Sequence, residues 1–327
     1  CTVNRMGHLY LLLLVAALAP TSALRAASLA TPRRRGTAIC STIAASQMDI
    51  ATLAKRLFAE QRLDVAAVQP FLAPDVVWED YTTRLASGAT DVAAMLAEKP
   101  PGEQPYVVDR MANGKTSGGF TYHREDGSGK RGLRGTVYIE LNSEGQISYV
   151  REMAEPLFKP GEAMIKFLQA VAKPKGDETP GEYTKREPSG CPDTVRYIWK
   201  ESNGDMAEAL RLMSDNVLYE DFNYPEPFLG KAQVQPFLDE FTLDLGIIFV
   251  AERLSSEDDS ACCFTWRVEF TGLDTPTTGV SFYAMDEADS SRIGYIRDIP
   301  QPVGWKPLLD AATFLNPELR RFGPAPQ

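Results

Sequence analysis

The chain has 327 residues, 44% of them hydrophobic and 24% charged, which is enough apolar material for two ordinary domain cores. Its formal net charge of −10 excludes the clustered Lys and Arg surface that nucleic-acid binding requires. Past residue 46 only Cys191, Cys262 and Cys263 remain, too few for a disulfide framework, and no Cys or His set has zinc-ligand spacing, so no metal is expected.

Leu9 to Ala19 is an apolar run too short to span a bilayer and suited to a signal-peptide core, followed by the small-residue cleavage site Thr21-Ser22-Ala23. Met6 reads as the start, with Cys1 to Arg5 upstream of it. Leu24 to Gln47 hold no acid but carry Arg25, Arg33, Arg34 and Arg35 among Ser, Thr and Ala, the composition of a transit peptide. Residues 1–46 therefore resemble the bipartite plastid presequence of algae with secondary plastids, with cleavage at Ala23-Leu24. Delivery to the plastid (chloroplast) is the expectation, and a secreted protein with a basic linker is the alternative. No later apolar run is long enough to span a membrane.

The rest of the chain contains itself twice. Leu72-Ala73-Pro74-Asp75-Val76-Val77-Trp78-Glu79-Asp80-Tyr81 is echoed by Met213-Ser214-Asp215-Asn216-Val217-Leu218-Tyr219-Glu220-Asp221-Phe222. Phe120-Thr121-Tyr122-His123 matches Phe264-Thr265-Trp266-Arg267, and Gly135-Thr136-Val137-Tyr138 matches Gly279-Val280-Ser281-Phe282. Tyr149-Val150-Arg151-Glu152 matches Tyr295-Ile296-Arg297-Asp298. A period this long is a whole domain rather than a solenoid unit of roughly 20–50 residues. The expected organisation is a first domain over 47–173, a linker rich in Pro, Gly and charge over 174–192, and a second domain over 193–322.

Each copy opens with an amphipathic helix, Ile50 to Arg62 and Thr194 to Ser202. Short helices over Asp64 to Phe71 and Asp205 to Met213 follow, with Asp64 and Asp205 as N-caps. Next come a short strand, Val76 to Tyr81 and Val217 to Phe222, and a third helix, Thr90 to Ala97 and Ala232 to Glu240. The hydrophobic period then changes to two, giving strands at Tyr106 to Arg110, Gly119 to Arg124, Gly135 to Leu141 and Ile147 to Glu152. The second copy has Ile247 to Arg253, Cys262 to Phe270, Gly279 to Met285 and Ile293 to Asp298. Helices grouped before strands indicate an α+β class, with about three helices packed on one face of a curved antiparallel sheet. Each copy ends in a tail, Glu155 to Lys173 and Gln301 to Arg320, whose apolar helix caps the sheet or the domain interface.

On the first strand of the second copy, alternation puts Val217, Tyr219 and Asp221 on one face; Val76, Trp78 and Asp80 do the same in the first. An inward aromatic would set the carboxylate at the rim of an apolar pocket, where desolvation makes it a usable general base. The alternative is a solvent-facing acid that merely ends a strand. His123 and Arg267 occupy equivalent places next to Tyr122 and Trp266; an inward His123 near Asp80 would form an acid–base pair, an outward one a structural contact. Arg151 and Arg297 likewise read either as anion holders or as sheet salt bridges. No phosphate-binding or dinucleotide loop is present and no Gly-x-Ser-x-Gly elbow, so no cofactor is expected.

The stretch Arg196-Tyr197, Gly204-Asp205, Val217 to Asp221, Pro225-Glu226-Pro227-Phe228-Leu229-Gly230-Lys231, Val234 and Phe237-Leu238 resembles the nuclear transport factor 2-like superfamily of cone-shaped α+β domains. The resemblance is closest to SnoaL-like polyketide cyclases and ketosteroid isomerases, and it covers almost all of both repeats. It implies two tandem cones that pair within the chain, each with a conical pocket for a small apolar molecule. Carried over, it makes Asp221 and Asp80 proton shuttles and Tyr197 an oxyanion donor, with Arg56 replacing that tyrosine in the first copy. The second acid of the isomerase oxyanion hole is absent, Val137 and Ser281 standing near its place, which argues against steroid isomerisation itself. Catalytic candidates are thus Asp221, Tyr197, Asp80 and His123; pocket candidates are Tyr219, Trp78, Trp266, Tyr122 and Arg267. The expected function is ligand binding with proton-transfer isomerisation, cyclisation or dehydration; the alternative is a non-catalytic carrier or assembly factor.

Overall fold

The structure, a computed structural model, describes residues 48–80, 85–98, 105–125, 128–156, 158–171, 183–202, 204–241, 247–270 and 276–301. All of these fall in one compact unit, residues 43–327. The expected presequence 1–46, linker residues 174–182 and the tail beyond Gln301 lie outside the described residues.

In the first repeat α1 (Ile50–Leu53) runs straight into a wider π-helical turn, Ala54–Glu60. Asp49 caps it by accepting the Thr52 N–H at 2.8 Å. A short helix α2 (Val65–Val68) follows, capped by Asp64, and a 3-10 turn at Gln69–Phe71 delivers the chain to the sheet. The strands are β1 (Leu72–Glu79), β2 (Leu85–Ser87), β3 (Tyr106–Ala112), β4 (Ser117–Glu125), β5 (Arg131–Leu141) and β6 (Ile147–Ala154), with α3 (Ala89–Ala97) between β2 and β3. After β6 comes α4 (Glu162–Val171).

The second repeat has the same plan. Helix α5 (Gly190–Arg196) passes into a π-helical turn at Tyr197–Glu201, and α6 (Met206–Arg211) is capped by Asp205. Strands β7 (Met213–Asp221) and β8 (Phe228–Leu229), helix α7 (Lys231–Phe241), and strands β9 (Ile247–Leu254), β10 (Ala261–Phe270), β11 (Thr277–Met285) and β12 (Ile293–Pro300) complete it. Each predicted element that falls within the described residues is present within a few residues, and the α+β class holds in both halves.

The sheets differ from the expectation in one respect: they are mixed, not antiparallel. Their orders are β2-β1-β6-β5-β4-β3 and β8-β7-β12-β11-β10-β9. The last strand of each meander lies parallel to the first, Trp78 beside Val150 and Asp221 beside Asp298. Parallel neighbours need a long crossover, and the third helix with the strands after it supplies one in each repeat.

The first cone has a core of packed aromatic rings. Phe58, Trp78, Phe120 and Tyr122 are 0% exposed and Tyr106 2%, with Phe58 edge-on to Tyr106 and Phe120. Two glycines make room for inward rings on both sheets. A Cβ on Gly135 would lie 2.4 Å from the Tyr122 ring, and one on Gly279 would lie 2.1 Å from Trp266. The aromatic therefore lies across the neighbouring strand, which is why the Gly and the aromatic recur together in the two copies.

The opposite faces of the two sheets meet each other in a repeated pattern. Arg151 binds Glu79 at 2.5 Å and reaches the Gly279 carbonyl at 3.2 Å; Arg297 binds Glu220 at 2.7 Å and reaches the Gly135 carbonyl at 3.1 Å. Arg253 lies over the Tyr149 ring and Arg110 over Tyr295. Tyr138, Tyr149, Phe222, Cys263, Phe282 and Tyr295 form the shared apolar layer. The two arginines are thus internal salt bridges and not ligand holders. No helix among the described residues is long and apolar enough to cross a membrane.

Candidate functional site

Strands β7 and β12 run side by side, so Asp221 and Asp298 are register partners at the same level of the sheet. Both line a cavity of about 130 Å³ in the second cone. The rest of its wall is apolar and aromatic, including Trp199 from the π-helical turn, Tyr219 from β7, Phe237 from α7, Phe249 from β9, Trp266 from β10 and Tyr283 from β11. Gly204, Asp205 and Met206 at the start of α6, and Thr277 on β11, are among its partly exposed lining residues, as are Ile198, Trp199, Phe249 and Asp298.

The two carboxyls have different partners. Asp298 accepts the Ser281 hydroxyl at 2.5 Å and the Tyr219 hydroxyl at 2.6 Å, and Ser281 in turn accepts the Trp266 indole N–H at 2.7 Å. Asp221 accepts the Asn223 backbone N–H at 2.8 Å and is hydrogen-bonded to the Asn223 side chain, with no hydroxyl donor among the described residues. Burial pushes the Asp221 carboxyl up to about 7, with the Asp298 charge adding to the effect. Burial pushes Asp298 up as well, to about 6, offset by its two hydroxyl donors. The pair titrates as a coupled unit near neutral pH, the condition in which a carboxyl both accepts and returns a proton.

The first cone carries the same acid but disarms it. Glu152, the counterpart of Asp298, is 0% exposed and accepts the Tyr106 and Tyr122 hydroxyls at 2.6 and 3.2 Å. A buried guanidinium, Arg124, stands 3.8 Å from it and donates to the Tyr106 hydroxyl at 2.7 Å. In the second repeat Val268 takes the Arg124 position and Phe249 the Tyr106 position, as the paired registers show.

The structure separates the sequence candidates. Asp221, Tyr219 and Trp266 line the cavity together. Tyr197 does not line it: its hydroxyl donates to Glu208 at 2.9 Å, under the Arg186 guanidinium, because the π-helical turn rotates Ile198 and Trp199 inward instead. Asp80 is buried at the end of β1, but His123 does not meet it. With Tyr122 inward, alternation sends His123 to the other face, where it binds Asp109 at 2.8 Å and Glu125 at 3.3 Å. Arg267 is outward for the same reason and binds Glu269 and Glu252. Trp78 and Tyr122 are inward as expected and belong to the aromatic core of the first cone, and the Trp78 indole N–H has no acceptor among the described residues.

Sequence reasoning missed Asp298 as a cavity acid. A second acid is present after all, one strand over from Ser281 and hydrogen-bonded to it. The signal was the alternation along β12: once Arg297 points to the sheet interface, Asp298 must point inward. Also missed were the wall residues Trp199, Phe237, Phe249 and Tyr283, and Met164, from the helix that follows the first repeat's sheet, which packs on the second core and lines its cavity. Among the described residues no group of three or more His, Cys, Asp or Glu is placed to hold a metal ion.

No family model matches the chain, and no curated protein matches it either. Solved structures are similar to stretches about as long as one repeat. A SnoaL-like family protein from Agrobacterium tumefaciens is 20% identical, with 32% of this chain and 92% of that one covered and a TM-score of 0.27. A steroid delta-isomerase from Pseudomonas aeruginosa is 22% identical, covering 33% and 79%, also with a TM-score of 0.27. An NTF2-like protein from Cytophaga hutchinsonii is 12% identical, covering 33% and 92%, with a TM-score of 0.28. Strand order and helix placement repeat from one half to the other: two α+β units of one plan follow one another in one chain.

Proposed function

We propose that the second cone binds a small, largely apolar molecule and moves a proton on it, as an isomerase, cyclase or dehydratase would. The observation that carries this reading is the pair Asp221 and Asp298, side by side on an apolar cavity and both titrating near neutral pH. Two hydroxyl donors favour the charged form of Asp298, which makes it the acceptor of the first proton. Asp221, lacking such donors, holds the proton that is returned. A cavity of about 130 Å³ suits one small ring, since an engineered void of about 150 Å³ takes up benzene.

One observation favours a carrier instead: the Tyr219 hydroxyl is already donated to Asp298 and not offered to a substrate oxygen. Native mass spectrometry of the full chain incubated with a plastid metabolite extract separates the two. A captured compound whose released form changes in chromatographic retention, fragmentation or mass with wild type but not with Asp221→Asn supports proton transfer, since isomerisation alone leaves the mass the same; an unchanged compound in both supports a carrier. Plastid delivery by residues 1–46 belongs to the same proposal, and a fluorescent protein fused to them that is secreted would remove it.

A further inference from the structure

The most informative comparison is internal. Both cones place a carboxylate at one position of the last strand, and in the first cone a guanidinium answers it from inside. Arg124 lies 4.4 Å from the Tyr106 ring centroid and 3.8 Å from Glu152. The second cone keeps the acid as Asp298 and the ring as Phe249, but Val268 removes the cation. Its second inward acid, Asp221, is the counterpart of the buried Asp80 and is 7% exposed. Neither acid has an ion-pair partner among the described residues. The nearest cation acting on Asp221, Lys159, is held by Glu155 and lies over the Phe222 ring.

What remains is a cavity with Asp221 and Asp298 on the sheet, Asp205 held at its edge as the cap of α6, and six aromatic side chains: Trp199, Tyr219, Phe237, Phe249, Trp266 and Tyr283. Ring faces attract cations, most strongly when water is excluded, and an uncompensated buried carboxylate is costly until a positive charge joins it. We infer that the ligand of the second cone is a small ring-bearing ammonium cation, whose charge sits between Asp298 and the Phe249 ring in the place that Arg124 fills in the first cone. The ring portion then occupies the apolar part of the cavity. This deepens the reading given under Proposed function, naming the class of molecule that the same cavity takes.

The test uses three probes of one size on the full chain at near-neutral pH: benzylamine, benzyl alcohol and benzoate, measured by isothermal titration calorimetry. Benzylamine is expected to bind roughly thirtyfold tighter than benzyl alcohol, the preference a desolvated cation–ring contact supports, and benzoate not at all. The isosteric Asp298→Asn should erase that preference while leaving benzyl alcohol binding in place. Val268→Arg, which restores the first cone's arrangement, should exclude benzylamine. Equal binding of amine and alcohol by wild type would overturn the cationic ligand and leave the apolar pocket standing. Failure of all three probes would overturn both.

Discussion

Replacing Asp221 by Asn should stabilise the protein, and the gain should depend on pH in a defined way. Asp221 is buried and its carboxyl is moved from 3.8 to about 7. Between those values the folded chain holds a proton that the unfolded chain has released, so stability falls as pH rises from about 4 to about 7 and then levels. A displacement of about three pH units corresponds to roughly 4 kcal/mol, a large share of the 5–15 kcal/mol that holds a typical domain together. Asn keeps an oxygen for the Asn223 N–H but carries no charge. Urea unfolding followed from about pH 4 to pH 8 should show wild type and variant converging at the acid end. At the alkaline end the variant should lead by about 2–4 kcal/mol. A wild-type stability that is flat across this range, or a variant that is weaker at the alkaline end, would refute the claim that Asp221 is a desolvated acid. Titration of Asp298 adds a second, smaller decline ending near pH 6.

Arg124→Leu should destabilise the first cone by about 3–5 kcal/mol, because Glu152 is left buried without its cation; Glu152→Gln added to it should recover most of that loss in the same unfolding assay. Gly279→Ala should push the Trp266 ring out of place, visible as a shift in tryptophan fluorescence and weaker uptake of any cavity probe, whereas a normal spectrum would contradict the packing described. Glu257, from the β9–β10 loop, accepts the Lys115 and Thr116 backbone N–H groups at 2.9 and 2.8 Å. Glu257→Ala should therefore speed hydrogen exchange at those two amides with little change elsewhere.

The repeat was visible because strand alternation and the glycines beneath inward rings survive divergence: Trp78 and Tyr219, Tyr122 and Trp266, Gly135 and Gly279 keep their places while their neighbours change. The caps at Asp64 and Asp205 were legible for a similar reason, since an acid before an apolar run has few other uses. What could not be read locally was the partner across the sheet. The parallel pairing of β1 with β6 and of β7 with β12 depends on the whole meander closing, which no window of sequence contains. Tyr197 shows the limit of carrying a role over by position. A π-helical turn adds to the circumference of a helix, so the residues that face inward move by one or two places. Asp298 was overlooked because its significance lies in Val268, two strands away, where an arginine is missing.

The sheet interface carries a further implication. A Cβ on Gly119 would lie 2.4 Å from the Cys263 sulfur, so a residue without a side chain on one sheet receives a thiol from the equivalent position on the other. In a dimer of identical subunits, a residue close to the twofold axis must face its own copy, and hollow-against-knob fitting is forbidden there. Joining the two copies in one chain lifts that rule. Each half can then drift independently, one toward a sealed interior and the other toward an open one, without the partner being forced to inherit the change.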